Sequence, residues 1–205
     1  MKGSLIVVGF FALGCLLGWS GWLPDVIIEN DITVYVLYLL MFQVGLSIGS
    51  DKKLKDILGS IRPKLLLVPL ATIAGTLVFS ALVGLLWSVF DCLAVGSGFA
   101  YYSLSSILIT QLKEPFLGVQ LATELGTIAL MANIMREIMA LLGAPLFVKY
   151  FGRLSPICAG GATTMDTTLP IITRYSGKDL VFISIFHGII VDFTVPFFVS
   201  FFCSF

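Results

Sequence analysis

Three carboxylates interrupt otherwise apolar sequence: Glu124, Glu137 and Asp166. An unpaired carboxylate at the centre of a bilayer costs about 2.5–3.5 kcal/mol on an insertion scale, so such groups are usually functional. In that setting a carboxylate can bind a proton or a cation. The three side chains are therefore the first candidates for a cation-binding or proton-binding site inside a membrane.

Each carboxylate also has a structural interpretation. Asp166 lies in the sequence MDTTLP, which is typical of the N-terminal cap of a short helix. Glu137 could form an ion pair with Arg136 or Arg174. Glu124 points about 140° away from Glu137 on one helix, so that helix could serve two surfaces.

Other polar groups accompany these carboxylates on the predicted helices. Asn133 and Gly126 precede Glu137 by four and eleven residues and share its helix face as a polar strip. His187 is the single polar ring in an apolar helix. Its role as a ligand and its role as a hydrogen-bonded packing group are both open. Asp192, five residues later, is a candidate for a further buried acid.

The composition places the chain in a membrane. Of its 205 residues 58% are hydrophobic, whereas soluble domains have about 45–50% apolar residues. The 12 basic and 12 acidic residues balance, which argues against binding nucleic acid. The four cysteines form no CxxC motif and have no histidine at ligand spacing, so we expect no disulfide framework, metal site or cofactor.

Apolar runs predict five membrane-spanning helices, at about 4–23, 32–49, 64–88, 117–151 and 180–204. Basic residues concentrate in the loop at 50–64, which places the N-terminus in the cytoplasm and the C-terminus outside. Segments 94–112 and 156–173 are rich in glycine and hydroxyl side chains. The basic residues between the last two predicted helices all fall on the cytoplasmic side only if each of these two segments enters the membrane and returns to the side from which it entered.

These two re-entrant segments look like copies of one unit. Residues 96–110 align with residues 159–173 at a constant offset of 63 (159 − 96), with a glycine-rich start, a hydroxyl-rich middle and an apolar end. Two such segments entering from opposite faces would form a polar site near the midplane, as in many secondary transporters. Burial of two polar hairpins for packing alone is the structural alternative.

The predicted fold is therefore an all-α polytopic membrane protein with five transmembrane helices plus two re-entrant hairpins in an inverted-topology repeat. Residues 1–63 form an N-terminal helical hairpin with the basic loop. Residues 64–205 form the transport core, which consists of repeats at about 64–126 and 127–205.

Four motifs in this core resemble the lysine exporter family of the LysO type. They are GSGFAYYSLSSILIT, ATELGTIALMANIMREI, AGGATTMDTTLPIITRYSG and ISIFHG, and they follow in the family's order from about residue 90 onward. The resemblance implies export of L-lysine, and of analogues such as thialysine, across the bacterial inner membrane. It also implies that Glu137 and Asp166 are essential. Full-length members carry about three further N-terminal helices, so a separately encoded three-helix subunit is an expected partner.

The residues and the resemblance together predict export of lysine by exchange for protons. The lysine ammonium would bind Asp166 or Glu137, and its carboxylate would bind half-helix amides and hydroxyls, those of Ser103, Ser105, Thr167 and Thr168. The other members of the predicted site are Glu124, Asn133, Arg136 and His187. Further expected partners are the lipid bilayer and a second copy of the chain in a homodimer.

Three alternative functions are open. The chain could export another small amino acid or metabolite on the same scaffold, or serve as a non-transporting subunit of a larger complex. An intramembrane enzyme is the third, but the sequence has no GxGD-type motif and no Ser–His pair at a recognisable spacing.

Overall fold

The computed structural model describes residues 63–205 continuously, together with ten isolated positions among residues 1–62 (13, 14, 16, 17, 19, 20, 35, 39, 42 and 46). The predicted helices at 4–23 and 32–49, the N-terminal hairpin domain and most of the basic loop therefore lie outside the described residues. Within residues 63–205 every regular element is helical, as predicted.

Six α-helices follow one another: α1 (Leu67–Gly84), α2 (Val89–Gly96), α3 (Tyr102–Phe151), α4 (Ser155–Gly160), α5 (Leu169–Ser176) and α6 (Val181–Cys203). Short 3₁₀ turns occupy Pro63–Leu66, Gly161–Met165 and Lys178–Leu180. Among the described residues, three helical stretches are long and apolar enough to cross a membrane: Leu67–Gly84, Tyr102–Phe151 and Lys178–Cys203. At 1.5 Å per residue, the 18 residues of α1 extend about 27 Å, close to the thickness of a bilayer's hydrocarbon core.

Helix α3 is two helical arms joined at a glycine. Gly118 has φ 78° and ψ 164°, which separates a first arm at 102–117 from a second arm at 119–151. Gly177, between α5 and the final helical stretch, has a similar conformation at φ 105° and ψ 155°. Glycine adopts positive φ at little cost, so both interruptions before a long helix occur where the sequence permits them.

Helices α2 and α4 are too short to cross a bilayer, since their eight and six residues extend only about 12 and 9 Å. Each leads into a non-helical or irregular segment. We call residues 97–101 the first tip and residues 161–168 the second tip. The helix expected at 64–88 ends earlier, at Gly84, because α2 passes close by. A Cβ at Gly84 would lie 2.5 Å from Val89 Cα.

Ion pairs tie together the ends of both helix–tip–helix units. In the first unit, Lys113 Nζ lies 2.7 Å from Asp91 Oδ1, and the lysine side chain is buried. In the second, the exposed side chains of Arg153 and Asp179 form an ion pair, and Arg153 Nε also donates to the Ser176 carbonyl at 2.6 Å. In each unit the ion pair therefore joins the two ends, which we call the base of the unit, and the tip lies between them in the chain.

An apolar cluster packs the first tip against α6 and the second tip. Phe99 and Ala162 from the two tips are buried in it with Val191 and Val195 of α6, and Leu104 of α3 completes the contact. Between helices in lipid, packing contacts of this kind supply the stabilisation that the hydrophobic effect supplies in water.

Candidate functional site

The two tips meet through their backbones. The Phe99 carbonyl accepts a hydrogen bond from the Ala162 N–H at 2.8 Å. Gly161 makes this approach possible, because it has φ 60° and a Cβ there would lie 2.2 Å from the Phe99 oxygen. Phe99 and Ala100 themselves have positive φ, of 44° and 75°, which is uncommon outside glycine and persists only where the surroundings enforce it.

Asn133 of α3 holds the first tip. Its Oδ1 accepts the Ala100 N–H at 2.8 Å, and its Nδ2 donates to the Val95 carbonyl at 3.1 Å. A Cβ at Gly98 would lie 2.3 Å from that Nδ2, so the tip is wrapped closely around the amide. This predicted site residue thus satisfies the Ala100 N–H, which the irregular tip leaves without a helical partner.

Arg136, one turn further along α3, holds the second unit. Its Nε and Nη2 donate to the carbonyls of Ala159 and Cys158 at 3.0 and 3.1 Å, and its Nη1 donates to Thr76 Oγ1 at 3.2 Å. The two carbonyls lie at the C-terminal end of α4, where a cation is favoured by the helix dipole. The guanidinium also lies over the Phe99 ring, 5.8 Å from its centre, so Arg136 contacts both tip regions.

Glu137 is fully buried and lies one turn from Asn133 on the same face of α3. Gly126, the other member of the predicted polar strip, has a different role. Ser106 Oγ donates to its carbonyl at 2.7 Å, and a Cβ there would lie 1.9 Å from Thr110 Oγ1. Gly126 therefore lies at a point of close packing between the two arms of α3.

Asp166 lies on the second tip with its side chain exposed. Its carboxylate accepts the N–H of Thr167, the next residue. The cap position of α5 belongs to Thr168, which makes no side-chain capping bond, so the interpretation of Asp166 as the cap of this helix is wrong. Asp166 and Glu137 are close enough to interact electrostatically.

His187 of α6 is fully buried between two hydroxyls. Its Nδ1 lies 3.0 Å from Thr164 Oγ1 on the second tip, and its Nε2 lies 2.9 Å from Thr72 Oγ1 on α1. Ser184 Oγ also donates to the Thr164 carbonyl at 2.9 Å. These contacts favour the interpretation of His187 as a hydrogen-bonded packing group that fixes the second tip.

The four predicted hydroxyls divide into two pairs. Ser105 and Thr168 are fully buried and donate within their own tips, to the carbonyls of Tyr101 at 2.8 Å and Thr163 at 3.0 Å. Ser103 is only partly buried at the start of α3, and Thr167 is partly buried beside Asp166. In the second pair, Ser103 is partly exposed, whereas the hydroxyl oxygen of Thr167 is itself buried.

Glu124 is not brought to the tips. It is exposed on the second arm of α3 and accepts a hydrogen bond from Gln120 Nε2 at 3.3 Å. Its thirteen-residue separation from Glu137 turns it to another face of the helix, as the sequence indicated.

Two side chains near the tips were not among the predicted site residues. Asp192 of α6, foreseen only as a further buried acid, is 5% exposed and interacts electrostatically with Asp166. Tyr101 of the first tip is within electrostatic range of both aspartates. Its place directly after GSGFA, at the end of the glycine-rich run, is the sequence signal that could have identified it.

No group of three or more His, Cys, Asp or Glu side chains in the described part of the chain could hold a metal ion. A cavity of about 990 Å³ runs beside α1. Its lining reaches from Gly96 and Ala159, next to the two tips, to Trp87 and Asp91 beyond the end of α1. Gly96 and Ala159, which precede the two tips in the chain, therefore border this cavity together with α1.

Comparison with known proteins identifies the family. The chain is 32% identical over 209 residues to a protein of Escherichia coli (strain K12) named "Lysine exporter LysO", a match that covers 98% of this chain and 64% of that protein. It is 31% identical over 198 residues to a "Putative lysine exporter" of Haemophilus influenzae, with 94% of each chain covered. The chain therefore spans less than two thirds of the Escherichia coli relative.

No solved structure matches the chain. The family model of the lysine exporter LysO matches residues 8–203. Because that match covers nearly the whole sequence, the chain belongs to the lysine exporter LysO family.

Proposed function

We propose that the chain is a secondary active transporter that exports L-lysine, and analogues such as thialysine, from the bacterial cytoplasm in exchange for protons. Family membership supports the substrate. The observation that carries the proposal is the junction of the two tips, where Phe99 binds Ala162 beside three carboxylates, Glu137, Asp166 and Asp192.

The charge of this site suits a cationic ligand. Asp166 interacts electrostatically with both Glu137 and Asp192, so ionising all three carboxylates together is unfavourable. The positive charge of Arg136 is already directed to backbone carbonyls. An ammonium group or bound protons would therefore relieve the repulsion, and a lysine side chain supplies the ammonium.

The α-carboxylate of lysine needs donors, which the tips can supply. Helix α3 begins at the first tip and α5 at the second, and the first N–H groups of a helix have no intrahelical partner. At the start of α5 fewer donors are free, because the Leu169 N–H donates to the Asp166 carbonyl and residue 170 is a proline. Such helix starts favour anions. The hydroxyls of Ser103 and Thr167 lie at or next to these two starts and would complete the recognition.

We propose that the membrane topology consists of five crossings and two re-entrant hairpins, with the N-terminus in the cytoplasm and the C-terminus outside the inner membrane. The shortness of α2 and α4 and the paired ends of each unit support this arrangement. Labelling of single cysteines at positions 99 and 163 from each side of the membrane tests it. A cysteine reagent should reach both tips only by entering the binding site. Labelling of a tip as an open loop on the far side of the membrane would contradict the re-entrant arrangement.

Proton exchange supplies the energy that export needs. A cytoplasm-negative potential opposes the exit of one positive charge by about 2.3 kcal/mol per 100 mV. Exchange of one lysine cation for one proton moves no net charge and removes that opposition. A carboxylate that binds a proton and a lysine ammonium in alternation is the simplest device for such coupling.

Uptake of radiolabelled lysine into inside-out membrane vesicles tests the function. With an acidic vesicle interior, vesicles containing the chain should accumulate lysine, and a protonophore should abolish the accumulation. Unlabelled lysine and thialysine should compete, whereas other amino acids should not. Accumulation suppressed equally well by an unrelated amino acid would instead favour export of another metabolite on this scaffold.

The expected partners are also proposals. Affinity purification of the chain from its native membranes should recover a short three-helix protein if the transporter is split. Cross-linking of the purified protein in lipid should yield a dimer if two copies associate. Recovery of the chain as a fully active monomer would contradict both.

A further inference from the structure

We propose that Asp192 is the proton-binding residue of the transport cycle, separate from Glu137 and Asp166, which hold the substrate ammonium. The inference rests on the proposed exchange of lysine for protons. It assigns the proton and the lysine ammonium to different carboxylates. In the simpler scheme, one carboxylate would bind both in alternation.

The packing of α6 places Asp192 next to the second tip. A Cβ at Gly188 would lie 2.7 Å from the Met165 nitrogen, so α6 touches the tip directly before Asp166. Asp192 follows Gly188 by four residues and therefore lies on the same face, one turn further along α6. The next turn carries Val195, which packs in the cluster with Phe99 of the first tip.

The carboxylate of Asp192 is buried and has no protein donor among the residues that the structure describes. It is 5% exposed, and within the described residues it has no hydrogen bond or ion pair. Asp91 on α2 differs, because the Lys113 ammonium lies 2.7 Å from it. Burying an ionised carboxylate without compensating donors is costly, so Asp192 binds a proton whenever no cation is near.

The surrounding charged groups leave this role to Asp192. Helix α1 contributes no titratable side chain, and α2 contributes only Asp91 and the thiol of Cys92. Tyr101 and Asp166, from the two tips, are within electrostatic range of Asp192. Of the other titratable groups on α3 and α6, Glu137 interacts with Asp166, and Arg136 interacts with His187. Arg136 and His187 are already engaged, with backbone carbonyls and with two threonine hydroxyls.

Coupling then follows from electrostatics. When a lysine ammonium binds at Asp166 from the cytoplasm, its positive charge stabilises the ionised form of Asp192, and the proton of Asp192 leaves to the cytoplasm. When lysine departs to the outside, Asp192 takes up a proton from that side. One lysine cation leaves the cell for each proton that enters.

Two transport assays on the full chain in proteoliposomes, together with any partner it requires, separate the two roles. The first measures exchange of radiolabelled for unlabelled lysine without a pH gradient. The second measures net accumulation of lysine driven by a pH gradient. In Asp192→Asn we expect exchange to persist and driven accumulation to fall to that of empty liposomes, because the permanently neutral side chain still permits lysine binding.

Asp166→Asn should lose both activities, whereas Asp192→Glu, which keeps a titratable group, should retain both. The matched control is Glu114→Gln, an exposed carboxylate away from the tips, which should behave as the unmodified chain. Driven accumulation that survives in Asp192→Asn would overturn the proton-binding role alone. An unmodified chain that performs neither reaction would overturn the proposed function and this inference with it.

A second measurement requires no variant. Hydrophobic carbodiimides modify protonated carboxyl groups in apolar surroundings, and mass spectrometry locates the modified residue. At neutral pH, Asp192 of the unmodified chain should be labelled, and saturating lysine should suppress the label. An unlabelled Asp192, or a label that lysine does not affect, would contradict the inference.

Discussion

Phe99 and Ala162, joined by a 2.8 Å backbone hydrogen bond, occupy equivalent positions of the repeat predicted from the sequence, since 162 − 99 equals the offset of 63. Residues beside a two-fold axis contact their own equivalents. The contact between the tips therefore has the form expected if an internal two-fold passed between them. It also brings the start of the second tip within reach of α3, so that one helix holds both tips.

The junction of the tips should depend on Gly161. An alanine Cβ there would lie 2.2 Å from the Phe99 oxygen, in addition to the strain at φ 60°. We expect Gly161→Ala to separate the tips and abolish thialysine resistance in a strain that lacks its own exporter. Gly152→Ala is the matched control, because its φ of 88° is also positive but the space around its Cβ is open. Strain alone costs about 1–3 kcal/mol, so equal loss in both variants would assign the effect to strain.

The position of each acid should decide its importance for export. We expect Asp166→Asn and Glu137→Gln to remove thialysine resistance, since both carboxylates adjoin the tips. Glu124→Gln should retain it, because Glu124 is exposed and bonds only to Gln120 among the described residues. Western blots of the membrane fraction must show equal amounts of each variant. Sensitivity of the Glu124→Gln strain would return Glu124 to the site.

Asn133 should contribute to stability as much as to transport. Asn133→Leu leaves the buried Ala100 N–H without its partner, which costs about 1–3 kcal/mol, and removes one donor from the Val95 carbonyl, which keeps the Gly98 N–H. We expect a lower melting temperature of the purified protein in detergent. The matched control is Gln120→Leu, which also replaces an amide side chain by leucine but at an exposed position. This variant should melt as the unmodified protein does. An unchanged melting temperature for Asn133→Leu would show that the first tip does not need the hydrogen bonds of Asn133.

The two ion pairs at the bases of the units should differ in strength. Lys113→Met leaves Asp91 unpaired in a largely buried position, and breaking a buried pair costs about 3–5 kcal/mol. The double variant with Asp91→Asn should recover most of that loss. Asp179→Asn breaks the exposed pair with Arg153, and such pairs contribute about 0–1 kcal/mol. Thermal unfolding of all three variants provides the measurement, and equal destabilisation by both single changes would contradict the expected difference.

Much of the architecture is a local property of the sequence. The apolar runs that predicted helices at 64–88, 117–151 and 180–204 correspond to α1, the second arm of α3 and α6. The glycine-rich segments correspond to the tips, and the helix start predicted at about residue 117 lies next to the break at Gly118. These features were predictable because helix length, hydropathy and the conformational freedom of glycine are set by residues close together in the chain.

The sequence by itself determined that this protein is helical, resides in a membrane and carries two polar segments with acids nearby. Only the tertiary structure decided which polar groups serve the backbone and which remain for a ligand. Asn133 binds the Ala100 N–H of the first tip, Arg136 binds carbonyls at the end of α4, Glu124 points elsewhere, and Asp192 interacts electrostatically with Asp166. The reason is physical: these outcomes depend on the rotation of α3 and α6 about their axes and on the contact of tips 63 residues apart. No local spacing encodes those long-range packing relationships.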